Sequence, residues 1–519
     1  MSHNGTARFS IRVFAKSVRI AGKQKLCLLP LFFYFNGDII LDWMYFDRMK
    51  ILCDDRKGII MTETKKTSIT EGPLTPRIIK FIIPLLLTGV LQLLYNAADS
   101  IIVGHWDGAE ALAAVSSVGA LINLLLNLFM GLAVGTAVSV AHDFGAKDYE
   151  GVKKTVHTSY LVAIIGGVLF GVIGMIFSRT FLVWMGSPDD VLPLSTLYLM
   201  IYFAGTPANM VYNFGASVLR SVGDTKHPLI FLTLSGLVNV LLNVVFVVFL
   251  RIGVAGVALA TVISQMMSAV MIVVFQMRQT DCTRLNLREL KISPDKLVKI
   301  VKVGLPAGFQ GTVFSISNVV IQSSINSFGS AVMAANGAAG SLEGFTYTAM
   351  NSVYQAALTF VGQNVGARRY ERINRVVFTC LAIVTVIGLL MGIGSYVFAE
   401  PLLGLYIPNN PDAIPYGVTR LLYVAVPYFL CGCMEVMVGG QRGMGMSITP
   451  MVTSLLGSCA FRILWINTVF AVNHSLILLY LSYPISWFIT FSVHTFFYFR
   501  KLKAVKKNAA LEGWVPQKE

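Results

Sequence analysis

Residues Ile78 to Gly104 read IIKFIIPLLLTGVLQLLYNAADSIIVG. A helix rises about 1.5 Å per residue, so this stretch reaches across the roughly 30 Å of hydrocarbon in a bilayer. Its only charges are Lys80, near the start, and Asp99, well inside. A helix that is apolar around most of its girth is a buried or membrane-spanning helix. The same pattern recurs outward along the chain. Apolar segments lie at 112–140, 154–177, 191–213, 229–250 and 256–277, and then at 297–325, 332–362, 375–398, 416–441, 450–470 and 475–499. With the first, they predict twelve transmembrane helices.

The composition of the whole chain agrees. It is 55% hydrophobic and 13% charged, where a soluble domain carries about 25% charged residues. Mean hydropathy is +0.69. The formal net charge of +15 does not indicate nucleic-acid binding, because the basic residues sit in short tracts flanking apolar runs. The seven cysteines are scattered without a CxxC pair, and Cys431 and Cys433 are spaced to point different ways on a helix. Neither a disulfide framework nor a zinc site is indicated.

Orientation follows from Lys and Arg. Alternate loops hold Lys147, Lys153 and Lys154, then Arg220 and Lys226, the tract 278–302, a group from Arg368 to Arg375, and Arg442. The opposite loops hold Arg179 and Arg251, with Arg420 near a span start, and are otherwise acidic. The positive-inside rule therefore predicts cytoplasmic termini, in a plasma or bacterial inner membrane.

The chain also repeats itself at an offset of about 221 residues. FGAKDY (Phe144 to Tyr149) recurs as VGARRY (Val365 to Tyr370), and RSVGDTKHP (Arg220 to Pro228) as RGMGMSITP (Arg442 to Pro450). Pro84 pairs with Pro306, Asn96 with Asn318, and Pro207 with Pro427. An even number of spans per unit gives both halves one topology, related by an axis along the membrane normal, with a cavity between them. The expected organisation is an N-terminal extension over 1–60, a cytoplasmic lead-in over 61–77 and a first lobe over 78–280. A linker over 281–296, a second lobe over 297–500 and a basic cytoplasmic tail over 501–519 complete it. The extension is expected to be unstructured or to lie ahead of a natural start at Met61.

No Walker A sequence, HExxH or nucleophile elbow occurs, so uphill transport would draw on an ion gradient and no enzymatic chemistry is indicated. Charges inside spans cost about 2.5–3.5 kcal/mol at the centre of a helix. Asp99 is one such charge, and Gln92, Tyr95, Asn96 and Asp99 share one helical face by spacing. A carboxylate on a polar stripe can bind a proton or Na⁺. Asn239 and Asn243, and Thr261 and Gln265, are each one turn apart. Their neutral oxygens suit a hard cation, and equally suit interhelical hydrogen bonding. Glu343, Glu435 and Arg462 are further intramembrane charges, able to serve function or to pair for structure. Met130, Met210, Met266 and Met350 can line an adaptable cavity or simply pack.

YNAADSIIVG, FGAKDYEGVKK and LRSVGDTKHP in the first half, and FVGQNVGARRYERINR and GGQRGMGMSITP in the second, resemble the multidrug and toxic compound extrusion (MATE) family over residues 75 to 503. The resemblance implies an all-α integral membrane fold of two pseudo-symmetric six-helix bundles in a V. It implies a monomer that exports small molecules, cationic or amphipathic, in exchange for H⁺ or Na⁺, with no other cofactor. In the DinF-like branch, which the sequence resembles more than NorM-like members, the implied coupling site is in the first lobe. Carried over by position, Asp99 is its acid, Asn239 its fifth-span amide, Thr261 its sixth-span hydroxyl and Tyr198 a fourth-span tyrosine, with Gln92 and Tyr95 on the polar face. A sodium ion would sit at Asp99, Asn239 and Thr261. Many members carry a second acid where this chain has Asn243. NorM-like members carry a glutamate where it has Phe314. With the polar and charged span residues read above, the expected substrate cavity includes Gln92, Tyr95, Asn96, Tyr198, Gln265, Glu343 and Glu435.

Two other readings remain open. A flippase for a lipid-linked precursor would line its cavity with several arginines, and the spans as drawn hold only Arg462 at depth. An integral-membrane enzyme would need clustered Asp or His at one membrane face, which the sequence lacks.

Overall fold

The computed structural model describes residues 49–54, 58–63, 69–408 and 410–512. The chain forms two units, one up to Ser68 and one from Ile69 onward. Of the first unit, residues 1–48 lie outside the described residues. Strand β1 (Met49–Asp54) pairs antiparallel with β2 (Gly58–Glu63), Met49 facing Glu63 and Asp54 facing Gly58. The expectation of an unstructured extension falls mostly on residues outside those described. The segments MKILCD and GIIMTE are rich in β-favouring side chains and flank the polar sequence Asp55, Arg56, Lys57, which is a hairpin pattern. Met61 lies inside β2.

The second unit is helical, and its helices match the expected spans in order. The first lobe holds α1 (Leu74–Trp106), α2 (Gly108–Gly145), α3 (Tyr149–Trp184), α4 (Leu192–Ser221), α5 (Lys226–Phe249) and α6 (Val254–Met277). The second holds α7 (Pro294–Asn326), α8 (Ser330–Gly366), α9 (Tyr370–Val397), α10 (Pro411–Gly443), α11 (Ile448–Phe470) and α12 (Leu476–Leu511). Among the described residues, nine of these are long and apolar enough to cross a membrane. The other three, α4, α7 and α8, are long but more polar, because they turn Arg220, Gln310 and Glu343 toward an internal cavity. A short helix, Ala399–Tyr406, lies between α9 and α10. The second lobe begins at Pro294 rather than 297, since Pro occupies the first helical turn, where its missing N–H costs nothing.

The repeat is visible in the backbone. Lys147 and Arg368, at equivalent turns, take φ of 59° and 56°, a left-handed conformation uncommon outside glycine. Three stretches of π-helix interrupt the second helix of equivalent pairs. Val244–Phe249 follows Asn243 in α5, while Leu455–Ala460 and Ile466–Phe470 flank Arg462 in α11. A fourth, Leu421–Ala425, follows Arg420 in α10. Such bulges rotate side chains out of regular register and often mark functional positions.

The lobes meet where glycines let backbones touch. Gly131 and Gly135 of α2 face Gly304 and Gly308 of α7. A Cβ on Gly131 would stand 2.1 Å from the Gly308 nitrogen, and one on Gly135 2.1 Å from the Ile300 carbonyl oxygen. Both pairs are small-xxx-small motifs, which bring membrane helices into close van der Waals contact. At the ends of α2 and α8 the contact is reciprocal. A Cβ on Gly145 would stand 2.1 Å from the Gln363 carbonyl oxygen, and one on Gly366 2.1 Å from that of His142. Side chains then latch the crossing. His142 Nε2 lies 2.7 Å from the Gly443 carbonyl oxygen, and Gln363 Nε2 donates to the Ser221 carbonyl at 2.6 Å. Nearby, the buried Lys296 Nζ at the start of α7 binds Asp143 Oδ2 of α2 at 2.6 Å, with Thr155 Oγ1 donating to the same oxygen at 3.0 Å. All these contacts are at the face bearing the Lys- and Arg-rich loops. At the surface of that face a hydrogen bond from Lys153, at 2.6 Å, holds the Glu289 carboxyl below its ordinary range.

Replacing Gly145 by Leu is therefore expected to force the lobes apart at this face. Spin labels at Glu150 and Arg375 should report a longer mean distance by pulsed electron resonance in the variant than in the wild type.

Candidate functional site

Two polar regions lie within the helical unit. The first is in the first lobe. Asn243 of α5 is fully buried, and its Nδ2 donates to Asp99 Oδ1 of α1 at 2.5 Å and to Asn239 Oδ1 at 3.4 Å. No Lys or Arg pairs with Asp99 among the described residues; its polar partner is a neutral amide. Tyr198 of α4 is buried and stacks on Tyr202, with ring centroids 6.4 Å apart. Asn243 Oδ1 lacks a hydrogen-bond partner, and on α6 Thr261 Oγ1 and Gln265 Oε1 lack one as well. Buried oxygens without donors are the kind of group that a bound cation or a proton would satisfy. Among the described residues no cluster of three acidic, His or Cys side chains offers a tighter metal site.

The four residues placed on one face of α1 by spacing separate in the structure. Tyr95 turns to α5, where its ring fills the space above Gly236 and its hydroxyl donates to the Thr233 carbonyl at 3.2 Å. Asp99 also meets α5, while Gln92 and Asn96 are exposed. A face defined by three- and four-residue steps is wide, and α5 covers only one edge of it. Gln265 packs beside Gly205 of α4.

The second region is a cavity of about 810 Å³ between the lobes. It is walled mainly by α7, α8, α10, α11 and α12, with α2 and α4 closing the other side. Of the expected cavity residues it includes Glu343 and Glu435; Gln92, Tyr95, Asn96, Tyr198 and Gln265 do not line it. Met130 and Phe314 line it, whereas Met210 and Met350 are wholly buried and Met266 is exposed.

The cavity is rich in guanidinium groups, which corrects the expectation of a single deep arginine. Arg220, Arg420, Arg442 and Arg462 all line it. Arg420, expected near an outer loop, is buried in α10. It makes a two-pronged ion pair with Glu343, Nε to Oε1 at 2.8 Å and Nη2 to Oε2 at 2.7 Å, and also binds Asn336. Arg220 and Arg442 occupy equivalent positions of the repeat, in what read as loop sequence. Arg220 Nη1 donates to Gln355 Oε1 at 3.2 Å, while Arg442 donates to the Tyr354 hydroxyl at 2.7 Å and Gln310 Oε1 at 2.9 Å. The repeat itself was the signal that could have found them, since an arginine recurs at the head of both nine-residue motifs.

A bilayer-spanning pair of helical lobes, parted by a charged cavity and latched at one face, is the architecture of a membrane transporter. The chain belongs to the MatE family, which matches residues 84–245 and 306–466, one stretch in each lobe. The "Probable multidrug resistance protein YoeA" of Bacillus subtilis (strain 168) is 28% identical over 431 residues, covering 78% of this chain and 93% of that one. The "FAD transporter" of Shewanella oneidensis is 22% identical over 386 residues, covering 73% and 84%. Among solved structures, a MOP superfamily transporter from Pyrococcus furiosus superposes with a TM-score of 0.81 at 22% identity, over 86% of this chain and 99% of that one. The fold is thus the two-lobe transporter fold, and the protein is not an enzyme.

Removing one member of a buried ion pair leaves the other uncompensated, at a cost of about 3–5 kcal/mol. Glu343→Gln should lower the melting temperature of the purified protein markedly. Glu343→Gln with Arg420→Met should melt above that single variant, because the stranded guanidinium is gone.

Proposed function

We propose that this chain exports small molecules across a plasma or inner membrane, in exchange for a cation taken up at Asp99. The observation that carries the reading is the environment of Asp99: a carboxylate with no cationic partner among the described residues, tied to one neutral amide whose own oxygen is unsatisfied. A charge so placed in a bundle needs a counter-ion or a proton. Asn243 can serve both states. Its amide N–H donates to the ionised carboxylate, and its oxygen can accept from the protonated acid once the side chain rotates. Protonation would then exchange one hydrogen bond for another and release the electrostatic hold of α1 on α5.

With the basic loops in the cytoplasm, the latched face is the inner one and the conformation is outward-facing. The cycle needs the latch to open inward once Asp99 has given up its proton. The alternative ion, Na⁺, would take Asp99 with Asn239, Asn243 and Thr261 as neutral ligands. The weak point for sodium is Asn243 itself, since a site with one formal charge holds a desolvated Na⁺ less tightly than a site with two.

The test uses purified protein in liposomes. Substrate efflux should follow an imposed pH gradient and collapse with it, at about 1.4 kcal/mol of driving force per pH unit. Asp99→Asn should still bind substrate but fail to concentrate it. Efflux that follows a Na⁺ gradient and ignores pH would refute proton exchange.

A further inference from the structure

We infer that the cavity holds an anionic subsite, and that its substrate is an organic anion joining a phosphate or carboxylate to an aromatic ring. The proposal rests on the reading of this cavity as the substrate path. The expectation from the sequence was a different one, a cationic or amphipathic substrate. The chemistry of the walls turns it round. Four arginines and two glutamates are the ionisable charges of Arg, Lys, Asp or Glu type that line the cavity. Arg420 and Glu343 neutralise one another through two hydrogen bonds. What is left is Arg220, Arg442 and Arg462 against Glu435, a net positive wall.

Arg462 is the centre of the site. It is 3% exposed, in the middle of α11 between two π-helical stretches. Its Nε donates to Ser486 Oγ at 2.9 Å, and its guanidinium lies 4.3 Å from the Tyr483 ring centroid and 5.5 Å from that of Trp487. These contacts fix the plane of the fork but supply no negative charge. Its Nη2 is buried without a hydrogen-bond partner. Arg442 and Arg220 repeat the pattern, each with a buried Nε that lacks an acceptor and with only neutral oxygens as partners. Buried donors of this kind cost free energy until an acceptor arrives, and a guanidinium fork matches phosphate or carboxylate oxygens in particular. The aromatic part has its own surface in Phe314 and in Tyr347, whose side chain is exposed to the cavity.

The experiment compares riboflavin with riboflavin 5′-phosphate, which share one ring system and differ in a phosphate, by equilibrium binding to the purified protein without any ion gradient. The phosphate ester should bind at least tenfold more tightly than riboflavin, and more tightly than the cationic dye ethidium. Raising the salt concentration should narrow the difference. Arg462→Gln should remove most of the preference, and Arg462→Lys should restore part of it; Arg442→Gln supplies a second variant should the first fail to fold. Equal binding of the two flavins by the wild type, or tighter binding of ethidium, would overturn the proposal. Farnesyl diphosphate binding as tightly as the flavin phosphate would overturn its aromatic half and assign the site to a lipid-linked anion. Because binding is read at equilibrium, a positive result here with no gradient-driven efflux would reject the exchange reading alone.

Discussion

Everything in the helical unit depends on two lobes being able to touch without fusing. The glycines of α2, α7 and α8 make that possible. With no Cβ at Gly131, Gly135, Gly145, Gly308 or Gly366, backbone meets backbone, and beside that seam side chains of both lobes share an apolar core, Val138 with Val303, Leu358 and Val438. The same helices also supply polar walls to the cavity, to which Gly131 of the seam itself contributes.

Those walls carry a cost that the fold meets in two ways. Arg420 and Glu343 cancel each other, with Asn336 completing the pair. Such a pair is weak as a source of stability but rigid as a joint, and it pins α10 to α8 where α10 slips into π-helix. The other three arginines are held by neutral groups: amides, hydroxyls and aromatic faces. Asp99 is treated alike in the first lobe, with an amide and no cation. Charges held only by dipoles stay available to a ligand: Asp99 and Arg220 in the first lobe, Arg442 and Arg462 in the second.

Much of this was legible in the sequence. The twelve spans, the two lobes and the offset of the repeat followed from apolar run lengths and from paired motifs, since a bilayer imposes one length scale on every crossing. Asp99 and its amides were legible because a carboxylate within an apolar run has no bland role. Side-chain direction was not. Spacing put Gln92 and Asn96 beside Asp99, but which edge of α1 meets α5 is set by the packing of other helices. Arg220 and Arg442 were hidden for a related reason. Basic residues at span ends mark the membrane boundary, and only the three-dimensional path of α4 and α10 shows that these two turn inward. Arg420 misled in the same way. The strand pair 49–54 and 58–63 was also legible, as two β-favouring runs about a polar tripeptide, but the segment was read by its basic composition as an extension.

The latch has one further property. His142 and Gln363 are equivalent by the repeat, and each reaches a main-chain carbonyl at the equivalent place, Gly443 or Ser221. The arrangement is isologous, as in a twofold dimer. Because both acceptors belong to the backbone, no point substitution can delete them. Only the donors can drift, and any side chain of suitable reach with an N–H can take the post. A duplicated chain is thereby free to let its halves diverge in their intramembrane side chains, Asp99 in one and Arg462 in the other, while keeping the joint that makes them partners.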